Sequence, residues 1–248
     1  MGAVYILWLR QLKRYFRSKA RLIGSLGQPL LFLVALGLGF GPIYQKAGGG
    51  SYIQFLTPGI IAMSVLFTAM FSGIEIIWDR QFGFLKETLV APVSRLEIMI
   101  GRTLGGATVA IFQGMVVLLI SLLVGFRLTN LGDLLLAFLF MLLISLDFTA
   151  LGTAIASLME DMHGFQLIMN FLVMPLFFLS GALFPFEGLP KTLKIVSSLD
   201  PLSYGVDGLR GALGVGYHFS FLQDFFILAA ASGLLLMVGS YLFSKIEL

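Results

Sequence analysis

Long apolar stretches recur along the whole chain and alternate with short polar segments. A helix needs about 20 mostly apolar residues to cross a bilayer. Six stretches reach this length: residues 22–41, 55–77, 103–125, 133–157, 165–183 and 224–243. Their apolar runs are continuous rather than alternating, which argues against the strands of a membrane barrel. The sequence therefore predicts an all-α integral membrane protein with six transmembrane helices, forming one domain over residues 1–248.

The N-terminal polar segment, residues 1–21, has a helical pattern of its own. Apolar side chains fall on one helical face, while Arg10, Lys13, Arg14 and Arg17 fall on the other. Such a helix is typical of the membrane interface, with its basic face toward anionic headgroups. The same cations could instead serve only to orient the first span. We predict an interfacial amphipathic helix.

The segment 78–102, between spans two and three, contains a second helical pattern. Phe82, Leu85 and Leu89 follow the spacing i, i+3, i+7. Pro92 should end this helix, because the residue before a proline is pushed out of the α region. An apolar helix outside the bilayer core needs a surface to bury against. The pattern therefore indicates a short helix that contacts either a partner protein or the membrane.

The composition is typical of a membrane protein and excludes several kinds of chemistry. The chain is 58% hydrophobic and 12% charged, with a mean hydropathy of +0.97, whereas soluble domains carry about a quarter charged residues. Cysteine is absent, which excludes disulfides and thiol nucleophiles. His163 and His218 have no nearby ligand set in the sequence, so no metal site is expected. No phosphate-binding G-x-x-x-x-G-K-[ST] motif occurs, so we do not expect an enzyme.

The distribution of Lys and Arg predicts the orientation. An even number of spans places both termini on one side, and eleven of the 16 Lys and Arg residues fall on that side. Cytoplasmic loops carry the excess of positive charge. We therefore predict cytoplasmic termini and an external segment at residues 184–222.

Polar residues within the spans suggest a buried site. Asp147 lies deep in span four, where a charge costs at least about 2.5–3.5 kcal/mol. Glu75, Gln166 and Asn170 fall in the corresponding half of spans two and five. We hypothesise that these four residues form an intramembrane polar belt, part of which lines an inward-open cavity. The alternative is a hydrogen bond from Asp147 that only orients the helices.

Glycines mark the start of span three. Gly101, Gly105 and Gly106 lie within about one and a half helical turns and would allow another helix to approach closely. A phosphate-binding loop is the other interpretation of this stretch, and packing is favoured.

The external segment has signals for two short helices. Span five should end near residue 181, with Pro185 breaking the chain direction, and Pro190 can begin a helix over 191–198. Asp200 is a suitable N-cap and Pro201 a suitable first residue of a second helix. Half-length amphipathic helices predict a re-entrant hairpin in the outer leaflet, with one face toward the membrane interior and the other toward water.

Two stretches resemble motifs of ABC exporter permeases of type 2 (ABC-2). "LKETLVAPVSRLEIMIGR" is similar to the family's cytoplasmic loop, in which an acidic residue precedes L-x-x-P-x-x-R. The matching positions are Glu87, Leu89, Pro92 and Arg95. "LSGALFPFEGLPKTLKIVSSLDPLSYGVDGLR" is similar to the C-terminal signature, at Gly181, Phe184, Pro185, Leu189, Pro190, Pro201, Leu202, Ser203, Tyr204 and Arg210. Both motifs occur in order, so the resemblance covers essentially the whole chain.

The resemblance implies a permease subunit of an ATP-driven exporter in the cell membrane, from the drug-resistance and glycan-export group. Such a subunit pairs with a second permease copy or a paralogue and binds two cytoplasmic ATPase subunits. ATP and Mg would bind to those subunits, and this chain would bind no cofactor. Membrane lipids are the other expected partners, and nucleic acid is not. The apolar spans favour a lipophilic or amphipathic substrate, moved by alternating access.

The resemblance and the residue patterns together give two sets of candidate residues. Those expected to couple to the ATPase are Phe82, Leu85, Glu87, Leu89, Pro92 and Arg95. Those expected to form an external gate beside the dimer axis are Pro185, Pro190, Pro201, Tyr204 and Arg210.

Two other functions fit a chain of this composition. One is an ion- or proton-coupled secondary transporter with Asp147 and Glu75 as carriers, but the two halves of the sequence show no inverted repeat. The other is a membrane-embedded hydrolase, which would need a His or carboxylate pair at one depth. Neither histidine lies in a span.

Overall fold

The chain folds into a bundle of helices. The computed structural model describes residues 2–46, 50–128, 130, 132–186 and 190–245, and these residues form helices and connections without a strand. In order, the helices are α1 (Gly2–Arg17), α2 (Lys19–Lys46), α3 (Tyr52–Phe71), α4 (Ile74–Gln81), α5 (Phe84–Val90), α6 (Arg95–Val124), α7 (Asp133–Ser157), α8 (Met162–Leu179), α9 (Lys191–Ser198), α10 (Pro201–Ala212) and α11 (Phe221–Ser244).

The predicted number of spans is confirmed. Six helical segments in the described part of the chain are long and apolar enough to cross a membrane: α2, α3 with α4, α6, α7, α8 and α11. α3 and α4 form one segment from Tyr52 to Gln81. The described chain therefore forms an all-α, multi-pass membrane protein.

Several spans have different bounds from those predicted, because caps and turns, rather than the limits of the apolar windows, determine where the helices begin and end. α2 extends to Lys46 rather than 41, and α6 begins at Arg95 rather than 103. At the start of α6, Ser94 and Glu97 form a capping box, which satisfies the first backbone N–H groups. α8 ends at Leu179 rather than 183, and Gly181 then adopts a left-handed conformation with φ of 73°.

α3 lies at the centre of the bundle and packs against α2, α6, α7 and α10. α2, α8 and α11 lie at the periphery, where most of their apolar side chains are at least partly exposed. Because successive spans alternate in direction, α1 and α5 share one end of the bundle, which we call the α5 end. The other end holds α9 and α10, and we call it the α10 end.

The glycines of α6 allow α1 to pack closely against it, as predicted for the start of span three. A Cβ atom at Gly101 would lie 3.0 Å from the Cβ of Leu7, and one at Gly105 would lie 2.8 Å from the side chain of Gln11. Trp8 Nε1 also donates a hydrogen bond of 3.0 Å to Thr108 Oγ1. α1 is therefore fixed along the first turns of α6.

Candidate functional site

The short helix predicted before Pro92 is present as α5. Gly83, with φ of 81°, adopts a left-handed conformation that side chains rarely allow, and it separates α4 from α5. α5 ends at Val90, and its C-cap residue Ala91, immediately before the proline, is already extended. The local sequence therefore determines both ends of this helix.

The structure separates the residues predicted to lie along this helix. Phe82 is not on α5 but follows α4, and its side chain is 77% exposed. Leu85 is buried beneath α5, whereas Glu87 and Pro92 are exposed. The side chain of Leu89 lies outside the described part of the structure. Arg95 is the first residue of α6.

A buried carboxylate at the end of α4 binds three arginines from two other helices. Arg10 of α1 donates two hydrogen bonds to Asp79, of 2.6 and 2.8 Å, and Arg102 of α6 donates one of 2.7 Å. Arg14 lies 3.5 Å from the same carboxylate. Asp79 is 3% exposed and Arg102 is 4% exposed. We call Arg10, Arg14, Asp79 and Arg102 the Asp79 cluster.

The Asp79 cluster gives the basic face of α1, predicted to lie toward anionic headgroups, a second contact inside the protein. A buried carboxylate needs a paired charge, and α1 supplies two of its arginines to meet that need. The hydrogen bond with Asp79 raises the pKa of Arg10. The Arg10 guanidinium also stacks 3.7 Å from the Phe84 ring centroid, so it joins α5 to the cluster. α1 therefore links α4, α5 and α6.

The Asp79 cluster is not among the sites predicted from the sequence, although the sequence contains a signal for it. Glu75 and Asp79 are spaced i, i+4 at the end of span two, so they share one helical face. Two acidic groups on one face near the end of a span call for cations from neighbouring segments. The arginines of α1 and of the start of α2 are those cations.

One turn before Asp79, a second ion pair borders a cavity at the α5 end. Arg21 Nη1 of α2 lies 2.8 Å from Glu75 Oε1. The cavity has a volume of about 510 Å³, within the range of small-molecule sites. Its walls combine apolar side chains, such as Met63 and Phe67, with polar ones, such as Gln28. We call it the amphipathic cavity.

A chain of hydrogen bonds shapes one wall of the amphipathic cavity. Tyr15 Oη donates to Gln113 Oε1 at 2.6 Å, and Gln113 Nε2 donates to Ser25 Oγ at 2.7 Å. Tyr15 and Ser25 line the cavity. The chain joins α1, α6 and α2, so movement of α1 would change the shape of the cavity.

The four residues of the predicted polar belt do not form one site. Glu75 and Gln166 line the amphipathic cavity. Asp147 lies between α7 and α11, where it accepts a hydrogen bond from Ser232 Oγ, and Asn170 is exposed on α8. The prediction of a single polar belt is therefore wrong, because Asp147 and Asn170 lie outside the cavity that Glu75 and Gln166 line.

At the α10 end, both short helices occupy the predicted positions. Asp200 accepts a hydrogen bond of 2.9 Å from Leu202 N, and Pro201 is the first residue of α10. Tyr204 Oη donates to Ser198 O at 2.8 Å, which joins α10 to α9. Pro190 precedes the first residue of α9. Pro185 borders an apolar cavity beside α2 and α3, and Leu189 of the predicted motif lies outside the described residues.

The expectation that one face of α10 meets water is wrong. Ser203, Asp207 and Arg210 are each at most 5% exposed. Arg210 Nη2 donates to the carbonyl oxygens of Gly181 at 2.6 Å and Ala182 at 3.2 Å, and its guanidinium lies 4.0 Å from the Phe55 ring centroid. The polar face of α10 is thus satisfied within the protein.

The N-cap of α10 predicts a pH dependence of stability. Burial raises the pKa of Asp200 to about 7, so the folded protein binds a proton that the unfolded chain releases near pH 4. The stabilisation that this bound proton gives the folded state is fully present below pH 4 and is lost as the pH rises to 7. Asp200→Asn keeps the capping oxygen and is expected to be more stable than the wild type at pH 8, by the order of 2 kcal/mol.

Thermal unfolding in detergent at pH 5 and pH 8 measures this effect. Asp161 is the matched control, because it also caps a helix but is exposed, and its hydrogen bond from Gly164 N lowers its pKa. Asp161→Asn should lower the stability at pH 8 rather than raise it. Equal pH profiles for Asp200→Asn and the wild type would contradict the prediction.

Within the described ranges, no three His, Asp or Glu side chains come together in a way that could hold a metal ion. The site features are instead a helix at the bundle end, a charge cluster behind it and a cavity that opens nearby. Together with the six membrane spans, these features fit a membrane transport protein.

The chain belongs to the ABC-2 type transporter family, whose sequence pattern it matches over residues 2–213. It is 30% identical to a putative transport permease ycf38 of Cyanophora paradoxa over 214 residues, which cover 84% of this chain and 72% of that protein. It is 31% identical to a nodulation protein J of Rhizobium leguminosarum bv. trifolii over 208 residues, which cover 83% and 76% of the two chains. The family resemblance is therefore confirmed, and the chain is the transport subunit rather than the ATPase. Permeases of this family work with ABC ATPase partners.

Proposed function

We propose that this chain is the permease subunit of an exporter that moves a lipophilic or amphipathic compound out of the cell. The amphipathic cavity carries this proposal, because it combines apolar walls with an ion pair and amide groups. A headgroup can be hydrogen-bonded there while a chain or ring packs against Met63 and Phe67. The relative named as a transport permease supports the transport part of this proposal.

The energy would come from a separate pair of ATPase subunits, which bind ATP and Mg²⁺. α5 is the surface proposed to contact them, because it projects from the bundle end and presents exposed Glu87 beside exposed Phe82. A second permease copy or a paralogue would complete the path.

Closure of the ATPase pair would move α5, and the contacts of α5 give the route of that movement. The Phe84 ring of α5 stacks against the Arg10 guanidinium of α1. Arg10 in turn binds Asp79, which also binds Arg102. A displaced α5 therefore moves α1 and the ends of α4 and α6, all of which border the amphipathic cavity. For ATP to drive transport, it must bind one state of the complex more tightly than the other.

At the far end, α10 would act as the external gate of an alternating-access path. Arg210 holds the connection after α8 against α3 through its carbonyl and ring contacts. The excess of Lys and Arg at the α5 end supports cytoplasmic termini and a location in the cell membrane. The ion-coupled alternative is disfavoured, because Glu75 is paired with Arg21 and lies apart from Asp147.

Charge reversal at Glu87 tests this function. The chain and its ATPase are reconstituted in vesicles, and ATP-dependent movement of a fluorescent amphiphile is measured together with ATP hydrolysis. Because Glu87 is exposed, Glu87→Lys should leave the thermal unfolding temperature of the permease unchanged. We expect transport to fall about tenfold, which corresponds to about 1.4 kcal/mol of lost contact.

Glu160 is the matched control, since its side chain is 86% exposed at the same end and its ion pair with Arg80 is long at 3.7 Å. Glu160→Lys should transport at the wild-type rate. If Glu87→Lys transports at the wild-type rate, α5 is not the surface through which the ATPase acts. ATP-independent transport by the wild type would overturn the proposed function itself.

A further inference from the structure

A groove at the α5 end is separate from the amphipathic cavity and has a different character. It runs between α1 and the junction of α4 with α5 and has a volume of about 620 Å³. Its lining includes Ile6, Lys13, Arg17, Phe82 and Phe84. We call it the basic groove.

The basic groove carries a surplus of positive charge. Four cations line it, from Arg10 to Arg17, against the single carboxylate of Asp79. That carboxylate is already bound by Arg10 and by buried Arg102. Lys13 and Arg17 are exposed, and neither has an acidic partner among the described side chains. Two cations one helical turn apart therefore face the groove without a counter-charge.

The groove also exposes apolar surface beside these cations. Ile6 is 64% exposed and Phe82 is 77% exposed. α1 continues into α2 after Ser18, and α4 is the last part of the second span. The groove therefore lies where the bundle leaves the membrane, at the depth of lipid headgroups.

We propose that the basic groove binds one anionic phospholipid of the adjacent leaflet. Lys13 and Arg17 bind its phosphate, and its acyl chain packs along Ile6 and Phe82. The ligand must be an amphiphile, because the cations and the exposed apolar side chains belong to one continuous surface. An acidic protein segment would match the charge but would leave the apolar part to be covered by something else.

Bound lipid would act on the coupling surface without being the transported compound. Arg10 and Arg14 line the same groove and also hold the Asp79 cluster. A phosphate at Lys13 and Arg17 neutralises the surplus charge beside the cluster, so α1 is held more firmly against α5. Lipid binding in the basic groove depends neither on the direction of transport nor on the substrate.

The test uses the full chain in nanodiscs of phosphatidylcholine with one-tenth phosphatidylglycerol. Native mass spectrometry counts the phosphatidylglycerol molecules retained by the protein. The double variant Lys13→Gln/Arg17→Gln removes both unpaired cations and leaves the Asp79 cluster intact. Since each cation near a charged membrane surface contributes a roughly fivefold effect, we expect retention to fall about 10- to 30-fold.

The matched control is Lys191→Gln/Lys194→Gln, which removes two solvent-accessible cations from α9 at the opposite end. It should retain phosphatidylglycerol as the wild type does. Equal loss in both double variants would mean attraction by net charge alone and would overturn the proposal. Wild-type retention by the Lys13/Arg17 variant would overturn it as well.

Two further measurements distinguish the lipid from a soluble phosphate and from a protein partner. Soluble glycerol phosphate at millimolar concentration should not displace the lipid, since it lacks a chain for the apolar part of the groove. Displacement would mean a simple phosphate site and would contradict the proposal. Binding of the ATPase subunit is also measured in phosphatidylcholine alone, where the Lys13/Arg17 variant should bind as the wild type does. Weaker binding there would identify the groove as a protein contact.

Discussion

Replacing Asp79 with asparagine is expected to destabilise the protein by about 3–5 kcal/mol. The amide cannot balance Arg102, which is buried on α6 at 4% exposure and depends on this carboxylate for its counter-charge. Loss of one partner from a buried ion pair costs this much, because the remaining charge stays away from water. Arg10 loses its two hydrogen bonds at the same time. Thermal and denaturant unfolding in detergent measure the change.

Two variants show whether the buried charge is the cause. Glu160→Gln removes an acidic group from the same end of the bundle, but its partner Arg80 is 3.7 Å away and the carboxylate is 86% exposed. It should change the stability by less than about 1 kcal/mol. Asp79→Leu/Arg102→Met should recover part of the loss, because the pair is replaced by apolar groups. A wild-type unfolding curve for Asp79→Asn would contradict the role assigned to the cluster.

Elements with local signals could be predicted from the sequence. The six spans follow from the length of the apolar runs, which the bilayer thickness requires. α10 begins at Pro201 because Asp200 caps it, and α5 ends before Pro92 because of the proline geometry. In each case the signal and the structure lie within a few residues of each other.

Features that depend on pairing between distant segments could not be predicted in the same way. Arg10 and Asp79 are 69 residues apart. The spacing of Glu75 and Asp79 indicates that cations are needed, but no local signal identifies α1 as their source. The polar face of α10 likewise looked suited to water. Its arginine instead satisfies carbonyl groups that the left-handed turn at Gly181 leaves free of helical partners.

The same distinction explains why the polar belt was wrong. Depth along a span can be counted from the sequence, so Asp147 and Glu75 were placed in the same half of the membrane. The direction of each side chain depends on how its helix is rotated. Packing fixes that rotation: α7 turns Asp147 toward Ser232 of α11, while α4 turns Glu75 toward Arg21 of α2.

Replacing Arg210 with methionine is expected to have the largest effect at the α10 end. The side chain loses hydrogen bonds to the carbonyl oxygens of Gly181 and Ala182 and its contact with the Phe55 ring. Hydrogen bonds to a charged group contribute about 1.5–3 kcal/mol each, and a desolvated cation–π contact contributes about 2 kcal/mol. We expect a loss of about 3–5 kcal/mol, because methionine retains part of the packing.

Arg210→Lys separates charge from geometry. Lysine keeps the positive charge but lacks the planar guanidinium that lies over the Phe55 ring while its Nη2 donates to both carbonyl oxygens. The stability of Arg210→Lys should therefore fall between that of the wild type and that of Arg210→Met. Arg127 is the matched control, since it is exposed at the same end of the bundle, and Arg127→Met should stay within about 0.5 kcal/mol of the wild type.

Transport is measured on the same proteins in vesicles. If Arg210 holds the gate closed, Arg210→Met vesicles should leak the amphiphile without ATP, whereas a tight but inactive variant would mean that Arg210 supports only the fold.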